Sequence, residues 1–245
     1  MPLKAKAGTG GAIEFWDSVS AMFKDNDHVF YELYNEPHNN SNDTFINGNG
    51  TYAGMLEMIK AVRNNSPDQM LVIAGANDYA YDAQSLIELE GKTNDELIMW
   101  NFHPYMGQTQ AGDKKKTADG FENIVKQVQA GTSKPVIITE FGQFCCDTDG
   151  SCFDYNGNWD GHNIGYSEAI IRISQKYGVS WTPWSWRPMA PDYESHACQD
   201  VNGDGTGLGL AHPTDGKGAD WLTLWKQYAD KPADSASVMS DFFIQ

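Results

Sequence analysis

The chain has 245 residues, of which 17 are Lys or Arg and 33 are Asp or Glu, so its formal net charge is −16 at pH 7. So acidic a surface repels nucleic acid, and the only basic run is Lys114-Lys115-Lys116, so we expect no nucleic-acid partner. No apolar stretch reaches the roughly 18 residues of a membrane helix, and residues 1–11 lack the apolar core of a secretory signal. These features favour a folded, membrane-free protein that acts on a neutral ligand.

Five short apolar runs predict five strands of a parallel sheet, because strands that are covered on both faces are nearly continuous in apolar residues. In chain order these runs are 28–34, 70–75, 97–102, 135–139 and 179–186. Apolar residues that recur at intervals of three and four predict amphipathic helices around and between them. These predicted helices are 13–23, 52–64, 81–89, 120–130, 163–177 and 219–228.

The remaining segments are rich in Gly, Asn and Asp and are predicted to be loops. They are 39–50, 109–117, 145–161 and 189–218. Alternating strands and helices with no repeat or linker predict an α/β fold in one domain, residues 1–245.

The residues that follow the predicted strands are unusually polar, and ligands bind at the carboxyl ends of strands in parallel α/β folds. In chain order they are Asn35-Glu36-Pro37-His38, Asn77-Asp78-Tyr79, His103-Pro104-Tyr105, Glu140-Phe141-Gly142 and Trp184-Ser185-Trp186-Arg187. Two of these ends carry a glutamate. A pair of carboxyl groups in one cleft is the equipment of glycoside hydrolysis, in which one group gives a proton and the other attacks or activates water. Only the two together indicate this chemistry.

Taken together, these strand ends resemble glycoside hydrolase family 5, the cellulase family of clan A. The motifs are Asn35-Glu36-Pro37, His103-Pro104-Tyr105, Thr139-Glu140-Phe141-Gly142 and Trp184-Ser185-Trp186, each after a predicted strand. The resemblance implies a fold of the (β/α) TIM-barrel type and a retaining endo-β-1,4-glucanase that acts on a β-glucan polysaccharide without a cofactor. Another β-glycanase, acting on mannan or xyloglucan, and a non-catalytic glycan-binding barrel remnant are the alternatives.

The family's roles transfer to matching residues of this chain. By the resemblance, Glu36 is expected to be the general acid and base, and Glu140 the nucleophile. Asn35 is expected to bind the sugar 2-hydroxyl, and Trp186 to stack on the sugar ring. His103 and Tyr105 are expected to line the cleft, with the Tyr105 hydroxyl close to Glu140. Asn77, at the end of the second predicted strand, is a further candidate for substrate binding.

A TIM barrel has eight strands, and in the family the Asn-Glu-Pro motif ends the fourth. The five predicted strands therefore correspond to strands 4 to 8 of an incomplete barrel, which is expected to lack the first three βα units. An open parallel sheet leaves unpaired edges and an uncovered apolar interior. Another copy of the chain could cover these surfaces, the long loops and the tail 235–245 could cover them, or the chain could be a poorly stable fragment. Of these three, a homo-oligomer that completes the barrel is favoured.

Four cysteines lie in predicted loops, namely Cys145, Cys146, Cys152 and Cys198. Their spacing does not match a zinc site, and disulfides are favoured over free thiols, with three connectivities open. Disulfides form in oxidising compartments, so a secreted or extracellular location is expected.

The segment from Asp200 to Gly205 resembles the start of a calcium loop, with oxygen ligands at Asp200, Asn202 and Asp204. The acidic residue required at the twelfth position is missing, because Ala211 stands there. A solvated turn is therefore favoured, and no metal is expected.

Overall fold

A computed structural model of the protein describes residues 11–75, 77–105, 107–108, 115–141, 157–159, 162–164 and 166–182. It has six helices in this part of the chain: α1 (Ala12–Phe23), α2 (Asn42–Asn47), α3 (Met55–Arg63), α4 (Ala83–Glu90), α5 (Ala118–Gly131) and α6 (Tyr166–Tyr177). Its strands are β1 (Tyr31–Glu32), β2 (Leu71–Ala74), β3 (Ile98–Phe102), β4 (Gly107–Gln108), β5 (Lys115–Lys116), β6 (Val136–Ile138), β7 (Gly157–Trp159), β8 (His162–Ile164) and β9 (Ser180–Trp181).

Five of these strands form one parallel sheet in the order β1-β2-β3-β6-β9, which is also their order in the chain. All five predicted strands are therefore confirmed, and so is the α/β fold. The observed strands are shorter than the apolar runs. A strand includes only the residues that pair with a neighbouring strand, whereas an apolar run also includes buried residues beyond the paired ones. Leu33, for example, is buried and donates its backbone N–H to Val72 although it lies just beyond β1. Residues 11–30, ahead of β1, contain α1 and no strand.

The chain divides into two compact units. Unit 1 comprises Met1–His103 and Asn123–Ile137, and unit 2 comprises Pro104–Glu122 and Ile138–Gln245. The single domain expected over residues 1–245 stays a prediction.

In unit 1, helices cover a sheet whose central strands are buried along their whole length. Helix α3 buries Met55, Met58, Ile59 and Val62, whose spacing of three and four places them on one face. Each such side chain contributes about 1.5–3 kcal/mol when it is fully buried. Helix α1 packs against α3, and its buried Trp16 donates Nε1–H to the Leu33 carbonyl at 3.3 Å. These contacts fix β1 and the segment that leads from it to Glu36.

Helix α2 corrects the prediction of a loop over residues 39–50. Asn and Ser are frequent in loops but are also good helix caps. Here the Ser41 hydroxyl accepts a hydrogen bond from the Thr44 N–H at 3.1 Å. The helix then buries Phe45 and Ile46, and this burial favours a helix where composition predicts a loop.

Two short antiparallel hairpins correct further loop predictions. Strand β5 lies inside the predicted loop 109–117 and pairs with β4, which lies just ahead of that loop. Strand β7 lies inside the predicted loop 145–161 and pairs with β8, which lies just beyond it. The helix predicted from residue 163 begins at Tyr166, because Asn163 pairs with Asn158 in the second hairpin.

In unit 2, the described core is formed by α6 beside β9. Ala169, Ile170 and Ile173 are fully buried along one face of this helix. Near its end, the Tyr177 hydroxyl and the Lys176 ammonium donate to Oε1 of Glu122 at 2.5 and 2.8 Å. The Thr182 N–H donates to the Ile138 carbonyl at 2.8 Å and ties the chain after β9 to β6.

Within the described part of the chain, no helix combines the length and the apolar character that a membrane span needs. The predicted helix 219–228, the predicted loop 189–218 and the four cysteines lie outside the described residues.

Candidate active site

In unit 1, Glu36 lies in the turn that follows β1. The carboxylate is half-buried, Asn35 beside it is exposed, and Pro37 after it is buried. The His38 ring lies 3.0 Å from the Glu36 carbonyl through Nδ1, and the Asn40 amide donates to the His38 carbonyl at 2.8 Å. These local bonds hold the backbone of the turn and so restrict the position of the Glu36 side chain.

His103 is the closest described partner of the Glu36 carboxylate. It follows β3, is buried at 1% exposure, and its Nδ1 lies 3.0 Å from Oε1 of Glu36. The sequence predicts His103 as a residue that lines the cleft. The structure places it next to the carboxylate, within hydrogen-bond distance of one of the two oxygens.

Two further polar residues, which sequence reasoning missed, join this cluster. Asn101 is fully buried in β3, and its Nδ2 lies 2.7 Å from Oε1 of Glu32 and 3.1 Å from Nε2 of His103. Glu32 is the last residue of β1. The sequence did contain a signal for both residues. Glu32 interrupts the first apolar strand run and Asn101 interrupts the third, and a polar side chain in a buried strand needs a partner.

Asn77, predicted to bind substrate, contacts the turn after β1. Its Oδ1 accepts the Asn40 N–H at 3.2 Å. The three residues after Asn77 all have left-handed backbone, with φ of 57° at Asp78, 58° at Tyr79 and 60° at Ala80. For non-glycine residues this conformation costs roughly 1–2 kcal/mol each.

The surroundings of this left-handed turn hold it in place. The His103 N–H donates to the Ala80 carbonyl at 3.1 Å, and the Tyr79 ring stacks on the His38 ring with centroids 4.3 Å apart. Such strained backbone is found most often at functional sites. The hydrogen bonds and the ring contact link three strand ends of unit 1: the turn after β1, the turn after β2, and His103 after β3.

In unit 2, Glu140 follows β6 and accepts a hydrogen bond from the Tyr105 hydroxyl, with 3.2 Å between the hydroxyl oxygen and Oε2. This contact is the one that the resemblance predicts. Behind Glu140, Phe141 is fully buried and meets the Trp181 ring edge to face at 5.6 Å. The Thr182 hydroxyl donates to the Thr139 carbonyl at 2.6 Å. Both neighbours of Glu140 in the chain are thus anchored.

Trp186 and the calcium-loop residues Asp200, Asn202 and Asp204 lie outside the described residues. The substrate-stacking role of Trp186 therefore stays a prediction, as does the expectation that no metal binds at the loop.

A model of the cellulase family, glycosyl hydrolase family 5, matches residues 6–190. The chain belongs to this family. Endoglucanase A of Butyrivibrio fibrisolvens is 29% identical over 174 residues, which cover 71% of this chain and 34% of that protein. The chain spans about a third of the length of the curated endoglucanases it matches.

Solved structures of low sequence identity share the fold. Thermotoga maritima Cel5A, solved with cellobiose, is 17% identical with a TM-score of 0.52, and the match covers 72% of this chain and 58% of that one. A β-mannanase from Streptomyces thermolilacinus, solved with mannohexaose, is 16% identical with a TM-score of 0.52, covering 77% and 58%. This partial coverage fits the incomplete barrel that the strand count predicts.

Proposed function

We propose that the protein is a retaining endo-β-1,4-glucanase that hydrolyses β-1,4-glucans by double displacement, with Glu36 as acid and base and Glu140 as nucleophile. The observation that carries the proposal is that each strand-end glutamate of this family 5 chain is held by a ring side chain. His103 bonds Glu36, and Tyr105 bonds Glu140. A carboxylate used for chemistry needs such orientation, because misplacement by about 1 Å costs up to a hundredfold in rate.

In the first half-reaction, Glu36 gives its proton to the glycosidic oxygen while Glu140 attacks the anomeric carbon. The bond to the leaving sugar breaks, and a glycosyl-enzyme intermediate forms on Glu140. In the second half-reaction, Glu36 takes a proton from water, which attacks the same carbon and releases Glu140. Because each displacement inverts the carbon, the product retains the β configuration.

The hydrogen bonds of the structure support a division of labour between the oxygens. On Glu140, the Tyr105 hydroxyl donates to Oε2, and Oε1 is the oxygen proposed to attack. On Glu36, His103 occupies Oε1, so Oε2 is the oxygen proposed to exchange the proton. The donor on Oε2 of Glu140 also steadies the carboxylate when it leaves the sugar.

Asn35, Asn77 and Trp186 are proposed to bind the glucan. Asn35 is exposed, so its amide is accessible to a sugar hydroxyl such as the 2-hydroxyl, whose hydrogen bond strengthens in the transition state. Asn77 accepts from the Asn40 N–H through its amide oxygen and donates to Oδ1 of Asn42 at 3.5 Å. The second hydrogen of its NH₂ group is the part proposed to meet substrate. Trp186 would stack on the flat face of a pyranose.

The test measures reducing ends released from carboxymethylcellulose and barley β-glucan by the parent and by Glu36→Gln and Glu140→Gln. Each variant should lose about 10²- to 10⁴-fold in kcat. Glu88→Gln changes an exposed glutamate and should keep the parent rate. Hydrolysis that survives Glu140→Gln unchanged would overturn the assignment of the nucleophile, and an α product detected by NMR would overturn retention.

A substrate panel separates the alternatives. Release of product from mannan or xyloglucan without release from either glucan would replace the endoglucanase by another β-glycanase. Binding of cello-oligosaccharides in calorimetry without any product would replace catalysis by glycan binding.

We also propose that a second copy covers an apolar face of α1 and helps to complete the barrel. Three large apolar residues of this helix are exposed, namely Phe15 at 51%, Met22 at 73% and Phe23 at 39%. Exposed apolar clusters of this kind mark association surfaces. Light scattering should give a mass above that of one 27.2 kDa chain, and Phe15→Ser with Met22→Ser should return it to the monomer. A monomeric parent would overturn this proposal.

The protein is further proposed to act outside the cell, where its polymeric substrate is found. Its net charge of −16 and its four cysteines support this location. Detection of the native protein only inside the producing cell would overturn the proposal.

A further inference from the structure

We propose that Glu32 is a positioning residue that fixes the tautomer of His103 through Asn101 and so holds the carboxylate of Glu36 ready for proton transfer. The inference rests on the proposed function for the role of Glu36. Its structural part, the tautomer of His103, stands on the geometry of unit 1 alone.

Glu32 acts on His103 indirectly. Its Oε1 lies 3.8 Å from Nε2 of His103, which is too long for a hydrogen bond. The same oxygen lies 2.7 Å from Nδ2 of Asn101, which is the length of a strong hydrogen bond to a carboxylate. The hydrogen-bonded link that the structure shows from Glu32 to the imidazole therefore passes through the Asn101 amide.

The carboxylate decides which way the amide faces. An ionised carboxylate only accepts hydrogen bonds, so the group that Asn101 turns toward Glu32 must be its NH₂. A flipped amide would place its oxygen 2.7 Å from a carboxylate oxygen, and two acceptors at that distance repel each other. Nδ2 carries two hydrogens, one directed at Glu32 and the other at Nε2 of His103, 3.1 Å away.

The orientation of the amide then decides the tautomer of the imidazole. Nε2 faces a donor, so it must present its lone pair, and a proton on Nε2 would point at the amide hydrogens. The proton of the neutral ring is therefore on Nδ1. Nδ1–H donates to Oε1 of Glu36 at 3.0 Å. One carboxylate thus determines the hydrogen bond that another carboxylate receives, three side chains away.

Burial gives this chain of bonds its strength. The side chain of His103 has no exposed surface, and Asn101 is fully buried, whereas Glu32 and Glu36 are each 29% exposed. Water does not reach the two central groups, so neither can replace a lost partner with solvent. The two ends of the chain are accessible, and Glu36 keeps its second oxygen for substrate.

Loss of the Glu32 carboxylate has a defined consequence. The NH₂ group of Asn101 then loses its carboxylate acceptor, which favours the amide orientation with the oxygen toward Nε2 and so the tautomer with the proton on Nε2. Nδ1 becomes an acceptor and faces Oε1 of Glu36, so the bond that holds Glu36 is lost. The expected effect is on kcat, since substrate binding does not require this bond.

The experiment compares Glu32→Leu, which removes the acceptor, with Glu32→Gln, whose amide oxygen can still accept from Asn101. Long-range ¹⁵N–¹H NMR of the imidazole rings reports the tautomer, and a His103→Gln sample assigns the His103 signals among the six histidines. The parent and Glu32→Gln should show a protonated Nδ1 and a bare Nε2. Glu32→Leu should show the reverse, with kcat about tenfold lower and KM within about twofold.

A double-mutant cycle with Asn101→Leu keeps the proposal testable even if one variant alters packing. Asn101→Leu breaks the link, so the kcat loss caused by Glu32→Leu should disappear in that background. Glu96→Leu, at a glutamate that pairs with Lys134 in the same unit, should leave both readouts unchanged.

Two results would overturn the proposal: a proton on Nε2 in the parent, or a Glu32→Leu protein with the parent tautomer and the parent kcat. If no substrate is hydrolysed, the proposed function fails, and the NMR signals still decide the tautomer.

Discussion

The Tyr105 hydroxyl donates to Oε2 of Glu140 across 3.2 Å, and both side chains belong to unit 2. This contact meets the proposed nucleophile directly. A hydroxyl on one carboxylate oxygen restricts rotation of the group and stabilises its charge. Loss of this hydrogen bond should therefore lower the rate of hydrolysis, and a single substitution at Tyr105 tests this.

Replacement of Tyr105 by Phe removes the hydroxyl and keeps the ring. A hydrogen bond to a charged group is worth about 1.5–3 kcal/mol, so kcat on β-glucan should fall by about ten- to a hundredfold. KM should change little, because the bond orients the nucleophile. Steady-state kinetics on the best substrate of the panel measures both parameters.

Tyr177→Phe is the matched control, because this hydroxyl also donates to a carboxylate of unit 2, Oε1 of Glu122 at 2.5 Å. Its loss should lower the free energy of unfolding by about 1–3 kcal/mol and leave kcat unchanged. Equal losses of kcat in both variants would contradict a specific role for Tyr105.

The five strands and the positions of the candidate site residues were predicted from local patterns, whereas the Tyr105–Glu140 contact was implied by the family resemblance. Strands buried on both faces leave continuous apolar runs such as 70–75 and 97–102. Functional side chains in such folds follow the strands directly, so Glu36, His103 and Glu140 could be chosen as candidate site residues from their position in the chain. Both signals are local, and local signals survive without knowledge of the tertiary fold.

Long-range polar contacts could not be predicted in this way. Asn101 and Glu32 are 69 residues apart in the chain, and neither follows a strand, so their contact depends on the register that pairs β1 with β2 and β2 with β3. Helix α2 was missed for a similar reason. Its six residues form a helix because Phe45 and Ile46 are buried in the core. The local amino-acid composition does not show which residues will be buried there.

Gly48, which ends α2, is predicted to tolerate no side chain. Its φ is +71°, and a Cβ there would lie 2.5 Å from the Gly54 nitrogen and 2.6 Å from the Tyr52 carbonyl oxygen. Both neighbours are backbone atoms and cannot move independently. Gly48→Ala should lower the free energy of unfolding by about 2–4 kcal/mol in urea denaturation.

Gly178, after α6, is a control that separates the cost of the left-handed backbone from the cost of steric clashes. It has a similar φ of +65°, and a Cβ would meet nothing within 4 Å. Gly178→Ala should therefore lose only the conformational part, about 1–2 kcal/mol. If Gly48→Ala lost no more stability than Gly178→Ala, the backbone around Gly54 would have moved to make room for the Cβ, and the prediction would be wrong.

Arg63, at the end of α3, is predicted to be the strongest polar clamp of unit 1. Its Nε and Nη2 bond both oxygens of Asp95 at 2.6 and 3.0 Å. The same guanidinium donates to the carbonyls of Ser66, Gln69 and Leu97. Arg63→Met leaves a largely buried aspartate and three carbonyls without this partner, so the free energy of unfolding should fall by about 3–5 kcal/mol.

Arg172→Met tests whether burial is the reason. Arg172 pairs with Glu168 one turn earlier on α6, and its side chain is 36% exposed. Such helix pairs contribute about 0.3–0.5 kcal/mol. A loss at Arg63 no larger than that at Arg172 would mean that the carbonyl bonds contribute little.

Asp82, the N-cap of α4, is predicted to make stability depend on pH. Burial raises the pKa of its carboxyl above the ordinary value of 3.8, against hydrogen bonds from Gln84 and Ser85 that lower it. The folded state therefore keeps the proton to higher pH than the unfolded chain does. The stability from this group is fully present below the unfolded pKa and is lost as pH rises through the folded one.

Asp82→Asn should remove this loss, because an amide stays neutral and its oxygen still accepts from the Gln84 N–H, now at 3.0 Å from Oδ1. The variant should be more stable than the parent at pH 7, and the difference should vanish below about pH 3.8. Asp82→Ala removes the cap as well and should be less stable than Asp82→Asn by about 1 kcal/mol at every pH. Urea unfolding between pH 3 and 7 measures all three proteins, and a difference between parent and Asp82→Asn that grows as pH falls would contradict the raised pKa.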